Sequence, residues 1–181
     1  MADDLGPYEI AYLCGGRERV VQVALLQLHD DRRIRVSRGT HRVEVTRGGS
    51  SGTVQNAVLE QIPGTGLLLG ALIEATADSD EVRAVGRTLR DMGLLRERWL
   101  TRNGRALRQQ LQKEPGPASY ARFAAQGSSG LDAGKMREVF ETPDPKPMKL
   151  EHGWSGRGTD TVGGGAPDRS SDFGDGSDGS Y

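Results

Sequence analysis

Between Arg17 and Leu28 the chain places apolar residues on nearly every side of a helix. Val20, Val21, Val23, Ala24, Leu25, Leu26 and Leu28 fill seven of the nine positions from 20 to 28. A helix apolar all round has no face to give to water, so it belongs at the centre of a core. A buried parallel strand competes with this reading, because β-branched residues open the run. The length of the segment favours the helix.

The cover for such a helix comes from a limited supply. Only 35% of the 181 residues are hydrophobic, below the usual share for a globular chain. From Ala118 onward apolar residues thin out, and from Glu151 to Tyr181 the sole aliphatic residue besides one alanine is Val162. The expectation is a core drawn almost wholly from residues 5–113, a size that folds alone by a narrow margin. Over 151–181, Gly, Ser and Asp take 19 of 31 positions. That composition cannot repay the entropy of ordering and predicts a disordered tail. Charge divides at the same point: residues 1–113 carry 17 basic and 14 acidic side chains, and residues 114–181 carry 7 and 11. The resulting organisation is a globular domain over 1–113, divisible into 5–47 and 54–113, then a linker with short helices over 114–150, then the tail over 151–181.

The single cysteine, Cys14, allows no intrachain disulfide, which suits a reducing cytoplasm. The start Met1-Ala2-Asp3-Asp4 lacks the basic and apolar runs of a signal peptide. The longest apolar stretch, Gly66 to Ile73, is far short of the roughly 20 residues that cross a bilayer, so no transmembrane segment is expected.

Local patterns place the elements. Pro7 to Leu13 reads as a short helix ended by Gly15-Gly16. Ile34 and Val36 alternate with Arg33 and Arg35, and Val43 and Val45 with Arg42 and Glu44, which predicts a β-hairpin turning at Arg38-Gly39-Thr40. Arg47 to Gly52 is a linker. Val54 to Ile62 reads as a helix stopped by Pro63-Gly64, and Thr65 caps a helix over Gly66 to Ala77. Asp78-Ser79-Asp80-Glu81 has capping-box spacing and opens a helix to Met92, with Gly93 in the left-handed position after it. Leu94 to Leu100 is strand-like, and Thr101 caps a helix to Gln112. The order of the two blocks is loosely similar. Beyond Pro115, Ser119–Gln126 and Asp132–Glu141 each have room for a two-turn helix, and Pro143, Pro145 and Pro147 favour extended backbone.

Chemistry is sparse. His29, His41, His152 and Cys14 are the soft ligands, and none stands at a recognised metal spacing from another. No Gly-x-Ser-x-Gly elbow occurs, and Cys14 lies in an apolar helical stretch. Gly130 to Met136 only resembles a phosphate loop: its first glycine is one position too close to Gly134, and Met136 stands where Ser or Thr would hold magnesium. The acidic pairs fall at element ends, where turns and helix dipoles account for them. The sequence therefore predicts no enzyme and no cofactor.

Two arginine sets remain. The hairpin carries Arg32, Arg33, Arg35, Arg38, Arg42 and Arg47, and the helix after Asp78 carries Arg83, Arg87 and Arg90 opposite its apolar stripe. On one common face they would offer six or more phosphate contacts, with Arg33, Arg35, Arg42, Arg83, Arg87 and Arg90 as the candidates. Short isolated helices are unstable in water. Tyr120, Phe123, Met136, Val139 and Phe140 are accordingly candidates for docking, on the domain or on a partner protein.

The segments Gly93-Leu94-Leu95-Arg96 and Leu100-Thr101-Arg102-Asn103-Gly104-Arg105 resemble the exit from the recognition helix and the start of the closing helix in winged-helix regulators. That resemblance implies that Arg83, Arg87 and Arg90 face a DNA major groove. Leu5 to Gly16, the Arg33–Val45 hairpin and Gly93–Leu95 together resemble an uncharacterised actinobacterial family whose members are usually described as domain-containing membrane proteins. It covers roughly residues 5–112 and implies no activity. The resulting expectation is a mostly α domain with one small hairpin, of winged-helix type or built from two such units. Its expected role is a non-catalytic interaction or regulatory module with a protein partner, or alternatively a DNA-binding regulator.

Overall fold

A computed structural model describes residues 5–49, 52–132 and 134–145. The predicted tail over 151–181 and the end of the predicted linker lie outside the described residues. One compact unit runs to Lys146, and it is mostly helical with two small antiparallel sheets.

The apolar run is helical and central. It forms the second arm of α1 (Pro7–Asp30), which bends at Gly16, whose φ of 76° and ψ of −164° only glycine adopts without strain. Val20, Val21, Val23, Ala24, Leu25 and Leu28 are wholly buried. The cover is supplied by α2 (Thr53–Glu60), α3 (Leu69–Ala77), α4 (Asp80–Asp91), α5 (Arg102–Lys113) and α6 (Ser119–Gln126), all of which pack on α1. The first arm of α1 is tied to the second by Tyr8, whose hydroxyl donates to Gln27 Oε1 at 2.6 Å. No helix among the described residues is long and apolar enough to cross a membrane.

The hairpin forms where alternation places it, as β1 (Ile34–Val36) and β2 (Arg42–Val45), with Ile34 opposite Val45 and Val36 opposite Val43. Ile34 and Val43 point into the core. A third strand, β3 (Leu67–Leu68), pairs with the far side of β2. The helix expected over Gly66–Ala77 therefore starts three residues late. Gly66 turns at φ 76°, and a Cβ there would come within 2.8 Å of the Val43 carbonyl. Sheet pairing with β2 takes the backbone of Leu67 and Leu68 away from the helix, and Thr65 sits in the turn rather than capping.

Helix ends follow side-chain chemistry, with one shift. Ser79, not Asp78, caps α4 by accepting from Val82 N at 3.3 Å. Asp78 instead pairs with Arg17 at 2.7 Å. Thr101 caps α5 by accepting from Gly104 N at 3.1 Å, and Gly93 is left-handed as predicted. Leu94 to Leu100 is not one strand. It folds back at Glu97-Arg98 into β4 (Leu95–Arg96) and β5 (Trp99–Leu100).

The core is not confined to residues 5–113. Phe123, Ala124 and Ala125 of α6 are buried against α1, where the small alanines permit close approach. Arg19 clamps this contact from α1, with its guanidinium 5.7 Å from the Phe123 ring and its Nη1 donating to the Phe123 carbonyl. After a short 3-10 turn, α7 (Lys135–Glu141) buries Met136 and Val139, and Phe140 stacks at a tilt on Phe123 with ring centres 5.2 Å apart. The chain then reaches back to Asp144. One Asp144 oxygen accepts from Gly70 N at 2.8 Å near the start of α3, and the other lies 3.2 Å from His41 Nδ1.

Candidate binding cleft and basic faces

The order of the small sheet is β1-β2-β3, so β1 is an edge strand. In an antiparallel ladder alternate residues turn their N–H and C=O groups toward the partner strand. Here Ser37 N donates to Arg42 O at 2.9 Å and Thr46 N to Arg33 O at 2.8 Å. Residues 33, 35 and 37 thus face β2, and Ile34 and Val36 turn their backbone groups outward. Those groups have no hydrogen-bond partner among the described residues.

A cleft of about 750 Å3 lies at β1, lined by Ile34 to Arg38 and Thr46 of the hairpin and by His29, Asp30, Arg32 and Lys135. Arg32, Arg35, Arg38 and Lys135 are exposed, and none has an ion-pair partner among the described residues. The cross-strand neighbour of Arg35 is Glu44, whose side chain lies over Gly66 on the β3 side of the sheet. The wall's one carboxylate, Asp30, accepts from Tyr120 Oη at 2.9 Å. Burial, helped by that bond, pushes the Tyr120 pKa up to about 12, so the phenol remains a donor through the neutral range. His29 Nδ1 stands 3.6 Å from Asp30 Oδ1, too far for a hydrogen bond.

Arg32 reaches the cleft from a strained position. It ends α1 in the left-handed conformation, φ 55°, with Arg33 N bonded back to Leu28 O at 2.8 Å. This is the site where helices usually place glycine. An L-residue there costs about 1 kcal/mol.

The two predicted arginine sets belong to elements that meet the central helix at different points. The hairpin joins α1 at Leu28. The α4 helix meets α1 through Gly86, where a Cβ would come within 2.8 Å of the Tyr12 hydroxyl, and Asp78, just before α4, pairs with Arg17. From Arg17 to Leu28 the helix rises by about 16 Å, which separates the two points of attachment. Within the hairpin set, Arg33 is held by the carbonyls of Gly48 and Gly49, and Arg42 by those of Thr65 and Gly66, so both tie loops to the sheet. Arg35 alone of the three predicted hairpin arginines is left to the cleft. On α4, Arg83 pairs with Asp80 at 3.2 Å, Arg90 Nε donates to Gly86 O, and Arg87 is exposed. Arg96 and Arg98 of the following turn and Arg102 and Arg105 of α5 are exposed as well, and Trp99 is 77% exposed.

Of the predicted docking residues, Phe123, Met136 and Val139 are buried in the chain's own core, and Tyr120 and Phe140 pack against it. Phe123, Met136 and Val139 thus dock on the domain itself, the first of the two expected outcomes. Sequence reasoning missed Lys135 as a cleft residue; only the docking of α7 carries it to the hairpin.

The one cysteine, Cys14, does not line the cleft. Burial pushes the Cys14 thiol up, away from the reactive thiolate, and Cys14 lies in a separate hollow beside Arg19. Among the described residues no three His, Cys, Asp or Glu side chains gather to hold a metal ion. Comparison with protein-family models, with curated proteins and with solved structures finds no match to this chain.

Proposed function

We propose that the chain is a non-catalytic interaction module that engages an anionic surface of a partner protein through the β1 cleft. One observation carries this reading: Arg32, Arg35, Arg38 and Lys135 line a single concavity without ion-pair partners among the described residues, while its one carboxylate is engaged by Tyr120. Unneutralised cations around a concave site raise the local concentration of anions and steer their approach. The single, half-buried Cys14 suits a cytoplasmic setting.

The test is site-directed photo-crosslinking in the producing cell. A photoreactive residue at Thr46, on the cleft wall, should give a discrete protein adduct, and one at the exposed Gln109 of α5 should not. The Thr46 adduct should vanish in the Arg35→Glu/Arg38→Glu double variant. Equal adducts at both positions, or a Thr46 adduct indifferent to charge reversal, would refute the reading.

A second reading, a winged-helix DNA-binding regulator, is favoured by a different surface. The order helix, helix, hairpin occurs in the two arms of α1 followed by β1–β2, and again in α3, α4 and β4–β5. The second set bears the exposed arginines from Arg83 to Arg98, and α5 adds Arg102 and Arg105. On this reading a mobility shift with duplex DNA weakens steeply with salt, and Arg83→Ala/Arg87→Ala lowers the salt slope by about 2. No shift at low salt removes it.

A further inference from the structure

We infer that the open edge of β1 takes up an extended acidic peptide of the partner as a fourth strand of the small sheet. The inference rests on the interaction reading above and specifies how the cleft is filled.

The backbone supplies the first argument. Ile34 turns its N–H and C=O outward at the strand edge, and neither has a partner among the described residues. The unpaired N–H and C=O groups of an edge strand are a ready template for another strand. Val36 presents the same two groups two residues on, with the same outward direction. A strand laid in the cleft would meet both residues in register, as in other cases of strand addition to a sheet edge.

Charge supplies the second. Strand side chains alternate between faces, so Arg35 projects from the sheet face opposite Ile34 and Val36. A peptide strand beside β1 places every second side chain next to Arg35, with Arg32 and Arg38 near its two ends and Lys135 also lining the cleft. Carboxylates at alternate positions would meet these cations, and apolar residues between them would lie on the Ile34 side. The recognised chemistry is therefore an alternating acidic and apolar segment with free backbone amides. Arginine on a short edge strand also serves to keep other strands away, and the experiment separates the two roles.

The probe is an end-blocked heptapeptide alternating Glu and Val, titrated into the isotope-labelled full chain and followed by amide NMR. The Ile34 and Val36 amides should shift and their hydrogen exchange should slow at least tenfold, while the corresponding Lys and Val peptide leaves them unmoved. Two versions N-methylated at alternate residues should differ, because only one set of peptide amides faces β1; one should bind and the other should fail. Arg35→Glu should weaken binding at least tenfold. Arg32→Gly should raise the unfolding midpoint, since glycine relieves the left-handed backbone, and yet weaken the peptide several-fold, a pairing that misfolding cannot produce. Binding by both methylated peptides or by neither, or binding that leaves Ile34 and Val36 exchange unchanged, overturns the added strand while the crosslinking result stands. No binding of the acidic peptide makes the edge arginine a guard against pairing and likewise overturns the inference. Absence of the Thr46 crosslink in the chain with its arginines intact overturns the reading beneath it.

Discussion

At the scale of single residues, the most consequential polar groups are those the fold has taken out of water. Tyr8 donates to Gln27 Oε1, and Gln55 Nε2 donates to the same oxygen at 2.8 Å. Burial pushes the Tyr8 pKa from 10.0 to about 12, and that of Tyr120 moves the same way. A folded pKa above the unfolded one means that the native state holds its proton longer. The stabilisation is complete below about pH 10 and is lost as pH rises toward 12. Ultraviolet titration of the native protein should therefore show two of its four tyrosines ionising near pH 12, and urea stability should decline over pH 10–12. Tyr8→Phe should remove one late ionisation and flatten the decline; simultaneous ionisation of all tyrosines near pH 10 in folded protein would contradict this. None of it is visible in the sequence, where Tyr8 and Gln27 stand 19 residues apart and nothing local marks them as partners.

At the scale of elements, what was legible depended on how far an interaction reaches along the chain. Thr101 as a cap and Gly93 as a helix stop act within a few residues, and both hold. The β1–β2 alternation holds for the same reason, since a slip of one residue would turn Ile34 and Val43 to solvent. Leu67-Leu68 reads as helix because its neighbours are helix formers; pairing with β2, more than 20 residues upstream in sequence, overrides that preference. The same logic applies to α6, whose eight residues would not persist alone in water. Its helix exists because Phe123 is fully buried beneath Arg19 and against Phe140. Phe123→Ala should cost about 3–5 kcal/mol in urea unfolding, with loss of far-ultraviolet helix signal if α6 and α7 detach. A cost below about 1 kcal/mol would mean that α6 adds little to the core.

At the scale of the whole molecule, the folded body extends past the boundary that composition indicated. A chain ending at Lys113 lacks Phe123, Met136 and Val139 and bares the α6-facing side of α1; it should lose its cooperative unfolding transition, whereas a chain ending at Lys146 should keep it. Cooperative, full-stability unfolding of the shorter chain would restore the boundary at 113. The amino-acid pattern alone determined that residues 20–28 form a helix with no solvent face, that residues 34–45 form a hairpin, and where most helices stop. Such outcomes follow from hydrophobic period and from hydrogen bonds spanning a few residues. Tertiary structure alone decided which segments cover that helix, that Arg33 and Arg42 hold loop carbonyls, and that Lys135 joins Arg32, Arg35 and Arg38 around one cleft. The His41–Asp144 pairing, across 103 residues, belongs with them. Many long-range partners satisfy the same local pattern, and only close packing of the entire body selects among them.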